Sequence, residues 1–157
     1  MKKAFFFTGL LVIFFAFSAN TFAQDKEEKP DTPIEVLMEQ DARHNLNVAW
    51  QYFKLKKAYK AVLMRTEETI DTFPVFSKMD EVLYLAGMSS YYLSENKGKQ
   101  KIVLANLTEE DKIKFAPERL RENAIAYLSR LVEEYPQSKY KDDAEKTLKK
   151  LNNITTK

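Results

Sequence analysis

Residues 59–92 read YKAVLMRTEETIDTFPVFSKMDEVLYLAGMSSYY, which is two helical patterns separated by the Phe73-Pro74 stop. Apolar and semi-apolar residues on each side of the stop recur every three or four positions, so they line one helix face. Pro74 cannot continue a helix, and Ser77 with Asp80 three residues later is the predicted cap of the second helix. Because neither helix can cover its apolar face alone, the stretch predicts a helical hairpin. The two faces comprise Tyr59, Val62, Leu63, Thr66, Ile70 and Phe73, then Val82, Leu85, Ala86 and Tyr92.

A second aromatic-proline stop, Tyr135-Pro136, repeats the arrangement of the first. An acidic pair follows each proline six and seven positions later, as Asp80-Glu81 and as Asp142-Asp143. We interpret these pairs as first-turn residues that the helix macrodipole favours, rather than as metal ligands. A tetratricopeptide unit has about 34 residues, so the wider spacing of the two stops predicts one long insertion, at residues 94–116. An insertion of this length is usually functional or disordered.

Helical patterns also flank these stops. Residues 32–55 begin with a capping-box pattern, but their polar centre leaves two interpretations open: one long helix, or two shorter helices that meet near His44. Thr108 is the predicted cap of one short helix inside the insertion. Pro117 opens the most regular helix, and the last helix covers about residues 139–152. The chain therefore predicts an all-α fold of tetratricopeptide-like helical hairpins stacked as a short solenoid.

The first 23 residues have the features of a secretory signal peptide. Lys2 and Lys3 form a basic start, residues 4–17 form an apolar run, and Ala23 completes a cleavage pattern of small residues. Cleavage before Gln24 is expected, and an uncleaved N-terminal anchor is the alternative. No second apolar run of that length follows, so we expect no transmembrane helix in the mature chain. The expected divisions are 1–23 signal peptide, 24–31 polar tether, 32–152 helical domain and 153–157 tail.

The sequence contains no cysteine. A lipoprotein carries its acyl chains on a cysteine at the cleavage site, so we expect neither lipidation nor disulfides. The formal charge of +2 includes Lys2 and Lys3, and the mature chain is therefore near neutral. A near-neutral charge argues against a nucleic-acid or an anionic-membrane footprint.

The residue types needed for catalysis are sparse. His44 is the only histidine and lies among polar residues, which is typical of an exposed helix position. Adjacent acidic residues point to different sides of a helix, so the acidic pairs predict no metal site. Gly87 and Gly98 are the only glycines after the signal peptide, which excludes a glycine-rich phosphate loop. We therefore expect no enzymatic activity and no cofactor.

The two stops lie in segments that resemble a known family. Residues 69–92 and 130–151 resemble the tetratricopeptide hairpins of the outer-membrane assembly lipoprotein family BamD, also called YfiO-like. That family places aromatic-proline stops between hairpins and a Pro-x-Ser-x-Tyr pattern before an acidic pair. Pro136-Gln137-Ser138-Lys139-Tyr140 and Asp142-Asp143 match this pattern. The resemblance covers about residues 45–152, or two and a half hairpins, and implies a role in outer-membrane protein assembly.

Large side chains on the first helix of each hairpin are the candidate partner-binding residues. In stacked helical pairs, first helices line the concave face that binds partners. Trp50 is expected to be the most exposed of them, because its neighbours already fill the core side. The alternative is that most of these side chains belong to the core. The candidates are Trp50, Tyr52, Tyr84, Met88 and Tyr91.

The insertion contains three lysines at alternate positions, Lys97, Lys99 and Lys101. Two interpretations remain open for them: contact with an acidic partner or with lipid head groups, or a solvated loop.

These features together favour a non-catalytic periplasmic adaptor or scaffold. Such a protein is secreted across the inner membrane and binds another envelope protein or an extended peptide, peripheral to the outer membrane. The alternative is a periplasmic chaperone or peptide-binding module linked to cell-wall machinery. Saturable binding of unfolded outer-membrane polypeptides without a fixed partner would favour the alternative.

Overall fold

The computed structural model describes residues 32–155 as six α-helices with irregular connections. The expected signal peptide, the polar tether and the last two residues of the expected tail lie outside these residues. No strand occurs within residues 32–155, so the prediction of an all-α fold is confirmed. A π-helical turn, Tyr52–Lys56, extends the first helix. The helices are α1 (Pro33–Gln51), α2 (Tyr59–Thr72), α3 (Met79–Ser94), α4 (Glu109–Lys114), α5 (Pro117–Glu134) and α6 (Lys141–Thr155).

The two aromatic-proline stops end their helices in the same way. Phe73 caps α2 with φ −128° and ψ 61°, and Tyr135 caps α5 with φ −125° and ψ 62°. In each case the cap N–H donates to the carbonyl four residues earlier, at 2.9 Å. Proline at the next position prevents a further helical turn. The repeat recognised in the sequence is therefore also a repeat of backbone conformation.

Apart from the short helix α4, each helix packs against the next: α2 packs on α1, α3 on α2, α5 on α3 and α6 on α5. The close approach of α3 and α5 requires Gly87, because a Cβ there would lie 2.6 Å from the Leu128 side chain. Glu39 contacts Ser77 and Trp50 contacts Glu81, whereas Tyr84 contacts Asp143 and Met88 contacts Thr147. Because the residue numbers rise together in both sets of contacts, α1, α3 and α6 lie side by side and run in the same direction. These three first helices form one face of the stack, which we call the first-helix face.

The structure settles the interpretation of the first helix. α1 is one continuous helix through exposed His44, and it begins with the predicted capping box of Thr32 and Glu35. The sequence predicted only part of the helix face that packs into the core. Ala42 and Leu46 are buried although they lie in the polar centre of the helix, and Ala49 is buried with them. The apolar residues of the first turns are exposed instead. They are Ile34, Val36, Leu37 and Met38.

The prediction that Ser77 caps α3 is wrong. Lys78 occupies the cap position, and no side chain makes the capping hydrogen bond. Ser77 instead donates its hydroxyl to Glu39 of α1, and its backbone N–H donates to the same carboxylate at 3.1 Å. Ser77 therefore joins two hairpins rather than closing the end of one helix.

The predicted insertion is folded back onto the stack. Thr108 caps α4 as predicted, by accepting from the N–H of Asp111 at 3.2 Å. Phe115 at the end of α4 is buried, and Lys114 makes a 2.7 Å salt bridge to Glu67 of α2. None of the helices formed by residues 32–155 is long and apolar enough to cross a lipid bilayer.

Candidate functional site

Three aromatic side chains from different helical segments meet on the first-helix face. Trp50 comes from α1, Tyr84 from α3 and Tyr140 from the turn before α6. The Tyr84 and Tyr140 rings stack at 4.4 Å with an interplanar angle of 19°. The indole of Trp50 lies 6.2 Å from Tyr84 and 5.8 Å from Tyr140. We call these three side chains the aromatic cluster, and all three are partly exposed.

Carboxylates of the two acidic pairs hold the aromatic cluster in place. Glu81 accepts from the Trp50 indole N–H at 2.9 Å and from the Tyr140 hydroxyl at 3.0 Å. Asp143 accepts from the Tyr84 hydroxyl at 2.6 Å. Hydrogen bonds to charged groups are stronger than neutral ones. The acidic pairs therefore do more than complement helix dipoles, since they tie successive hairpins together.

The phenols of the aromatic cluster are held in their protonated form. Burial, and then the hydrogen bond to Asp143, raise the pKa of Tyr84. Burial, and then the hydrogen bond to Glu81, raise the pKa of Tyr140 in the same way. A phenol that donates to a carboxylate must lose that bond when it ionises, so both effects act in one direction. At neutral pH the two hydroxyls are therefore fixed donors.

Further rings continue the cluster along the first-helix face. Phe53 lies 5.9 Å from Trp50 and 6.0 Å from Tyr92, which packs against Tyr91 at 5.5 Å. Lysine ammonium groups lie over this row of aromatic rings: Lys54 is 4.3 Å from the Trp50 ring centre. Such cation–π contacts contribute about 0.5–1 kcal/mol at exposed sites. The row of aromatic rings extends from Tyr140, just before α6, to Tyr91 near the end of α3.

The structure brings together only part of the predicted site. Trp50 and Tyr84 belong to the aromatic cluster, and Tyr91 lies further along the same row of aromatic rings. Tyr52 lies in the π-helical turn beneath the ammonium group of Lys56. Met88 is 4 % exposed, and its sulfur accepts from Thr147, so this residue belongs to the core.

Trp50 is partly exposed, as Tyr52, Tyr84 and Tyr91 are, so its place as the most exposed candidate stays a prediction. Its neighbours do fill the core side, but the indole N–H turns toward Glu81 and the ring is covered by Tyr140. Sequence reasoning missed Tyr140 because this residue precedes a helix rather than lying on one. The available signal was the Pro-x-Ser-x-Tyr pattern, in which Ser138 also bonds to Asp80 at 2.7 Å. These two contacts join residues that are 58 and 59 positions apart in the sequence.

A shallow groove lies on the opposite side, between α2, α4 and α5. Its carboxylate Glu67 is already engaged, since it pairs with Lys114 at 2.7 Å and accepts from the hydroxyl of Tyr127. Burial, and then the charge of Glu67, raise the pKa of Tyr127 to about 12. Within residues 32–155, no three His, Cys, Asp or Glu side chains converge in a way that would hold a metal ion. The residues lining the groove are Glu67, Glu110, Ile113, Lys114, Arg119, Asn123 and Tyr127.

The fold and the first-helix face define a repeat protein built from stacked helical hairpins. The sequence profile of the YfiO family, described as an outer membrane lipoprotein, matches residues 66–157, which is more than half of the chain. The chain therefore belongs to the YfiO family of outer membrane lipoproteins, as the resemblance predicted. The match begins within α2 and includes α3 to α6. No significant match is found among curated proteins or among solved structures.

Proposed function

We propose that this protein is a non-catalytic periplasmic adaptor that binds another envelope protein through the aromatic cluster. One observation carries the proposal: Trp50, Tyr84 and Tyr140 from three parallel helical segments form one partly exposed aromatic surface. Trp and Tyr are enriched among the residues that dominate protein–protein binding energy. Stacked helical hairpins commonly present such side chains on their first helices.

The contacts within the aromatic cluster support a preorganised surface. The rings are fixed by one another and by Glu81 and Asp143 before any partner arrives. Binding of a partner therefore costs little side-chain entropy in the adaptor. Each flexible side chain that became ordered on binding would cost about 0.5–1.5 kcal/mol. Membership of the YfiO family supports a role in outer-membrane protein assembly at the periphery of that membrane.

Affinity capture from envelope extracts tests this proposal. The baits are the unmodified protein, Trp50→Ala, and Met64→Ala as a control, because Met64 is 52 % exposed on α2 away from the cluster. We expect one envelope protein to be retained by the unmodified protein and by Met64→Ala, and to be lost with Trp50→Ala. Circular dichroism establishes that each bait is folded at the temperature of capture.

Equal capture by all three baits would contradict the assignment of the aromatic cluster as the docking surface. Saturable binding of unfolded outer-membrane polypeptides, with no fixed partner, would instead favour the chaperone alternative.

A further inference from the structure

Two lysine-rich segments that are distant in the sequence meet at one end of the stack. The first is the turn after α1, KLKK at residues 54–57. The second is the last residue of α3 and the loop that follows it, SENKGKQK at residues 94–101. The backbone N–H of Lys99 donates to the carbonyl of Lys57 at 3.0 Å. Gly98 has φ 100°, and a Cβ there would lie 2.7 Å from the Lys57 carbonyl oxygen. The juxtaposition is therefore part of the fold.

The side chains at this end form a concentrated positive charge. Each of these lysines is exposed, and within residues 32–155 none of them makes a salt bridge. Lys54, Lys56 and Lys97 lie over aromatic rings, and Lys101 donates to the carbonyl of Asn96, but none of these contacts neutralises the positive charge. Glu95 is the only acidic residue in the two segments. The C-terminal ends of α1 and α3 offset only a small part of this positive charge, because each helix C-terminus carries about half a negative elementary charge. We call these residues the lysine end: Lys54, Lys56, Lys57, Lys97, Lys99 and Lys101.

Exposed apolar side chains lie beside these cations. Leu55 stands between Lys54 and Lys56 and is 75 % exposed, and Val103 follows Lys101 closely and is 54 % exposed. An apolar tip flanked by lysines fits the boundary of a bilayer, where the cations meet phosphate groups and the apolar group enters the acyl region.

We propose that the lysine end binds the surface of an anionic phospholipid membrane. The near-neutral total charge of the mature chain argued against such a footprint, but the total does not describe this end of the molecule. Leu55 and Val103 fit a lipid surface, because apolar side chains can enter the acyl region while the neighbouring lysines meet the phosphate groups. The lysine end adjoins the aromatic cluster, since Lys54 lies 4.3 Å from the Trp50 ring centre. The inference is nevertheless tested separately from the proposed adaptor function, because the substituted lysines are Lys57 and Lys99.

Vesicle co-sedimentation with the protein as recovered from the cell envelope tests the proposal. The probes are vesicles of phosphatidylcholine with and without phosphatidylglycerol, at an ionic strength of about 0.15 M. The test variant is Lys57→Gln/Lys99→Gln, which removes one cation from each segment, and the control is Lys141→Gln/Lys146→Gln, which makes the same charge change on α6. Each lysine near an anionic surface contributes about 1 kcal/mol, so the test variant should lose about 30-fold in partitioning.

The control variant should remain within about twofold of the unmodified protein, because its lysines lie outside the proposed surface. Leu55→Ser changes no charge and should lower partitioning about tenfold, by removing a side chain that enters the bilayer. Equal losses in both double variants would overturn the proposal, as would equal binding to the two kinds of vesicle. Binding to polyglutamate with the same lysine dependence, together with weak vesicle binding, would assign the lysine end to an acidic protein and also overturn it.

Discussion

The aromatic cluster and the lysine end differ in how their charges are balanced. In the aromatic cluster, Glu81 and Asp143 accept hydrogen bonds from the rings around them. At the lysine end, the cations have no carboxylate partner among the described residues. Charges that are balanced within the molecule stabilise the fold, whereas unbalanced charges are available to a partner. Substitutions in the two regions should therefore have different effects on stability.

The largest effect is expected for Trp50→Ala. The substitution removes the ring contacts with Phe53, Tyr84 and Tyr140 and the indole donor to Glu81. We expect the free energy of unfolding to fall by about 3 kcal/mol, near the lower limit for large aromatic truncations because Trp50 is partly exposed. Urea denaturation followed by circular dichroism measures the change. A loss below about 1 kcal/mol would mean that the aromatic cluster is not part of the stabilising core.

A smaller effect is expected for Glu81→Gln. The carboxylate accepts from Trp50 and Tyr140, and hydrogen bonds to a charged group contribute about 1.5–3 kcal/mol. An amide retains the shape but loses the charge, so we expect a loss of about 1.5 kcal/mol. The matched control is Glu68→Gln, whose exposed salt bridge to Arg65 contributes about 0.5 kcal/mol or less. Equal losses in both variants would remove the distinction between balanced and exposed carboxylates.

The phenols of the aromatic cluster predict a dependence of stability on alkaline pH. The pKa values of Tyr84 and Tyr140 are raised in the folded state, whereas both phenols ionise near pH 10 in the unfolded chain. Their stabilisation is therefore complete below about pH 10 and is lost as the pH rises toward the folded-state pKa values. Urea denaturation at several pH values should give a shallower alkaline decline for Tyr84→Phe/Tyr140→Phe. An unchanged decline would show that other groups cause it.

The smallest effect on stability is expected at the lysine end. In Lys57→Gln/Lys99→Gln the substituted side chains make no hydrogen bond or salt bridge within residues 32–155, and their removal reduces local repulsion. We expect the free energy of unfolding to change by no more than about 0.5 kcal/mol. The same urea experiment measures it. A loss above about 1 kcal/mol would indicate that these lysines serve the fold and not a partner.

The parts of the structure that the sequence predicted depend on local interactions. The stops at Phe73 and Tyr135 follow from the proline after each residue, and the cap at Thr108 follows from neighbouring backbone groups. The all-α stack of hairpins follows from the spacing of apolar residues, which leaves each helix with one face to bury.

The parts that the sequence did not predict depend on contacts between distant segments. The role of Ser77 is decided by Glu39, 38 positions earlier, which competes with the local cap. Tyr140 and Glu81 meet only because α3 and α6 run side by side, and Lys57 meets Lys99 only because Gly98 allows the loop to approach. Spacing along one helix carries no information on these meetings, so the sequence pointed to Trp50 and Tyr84 but not to the residues that contact them.

Site-specific photo-crosslinking in living cells tests the proposed docking surface most directly. A photoreactive residue at Lys139, whose side chain is 70 % exposed beside Tyr140, reports on the aromatic cluster, and one at Met64 reports on α2. We predict one discrete adduct with an envelope protein from position 139 and none from position 64. An adduct from position 64 alone, or no adduct from either position, would contradict the account.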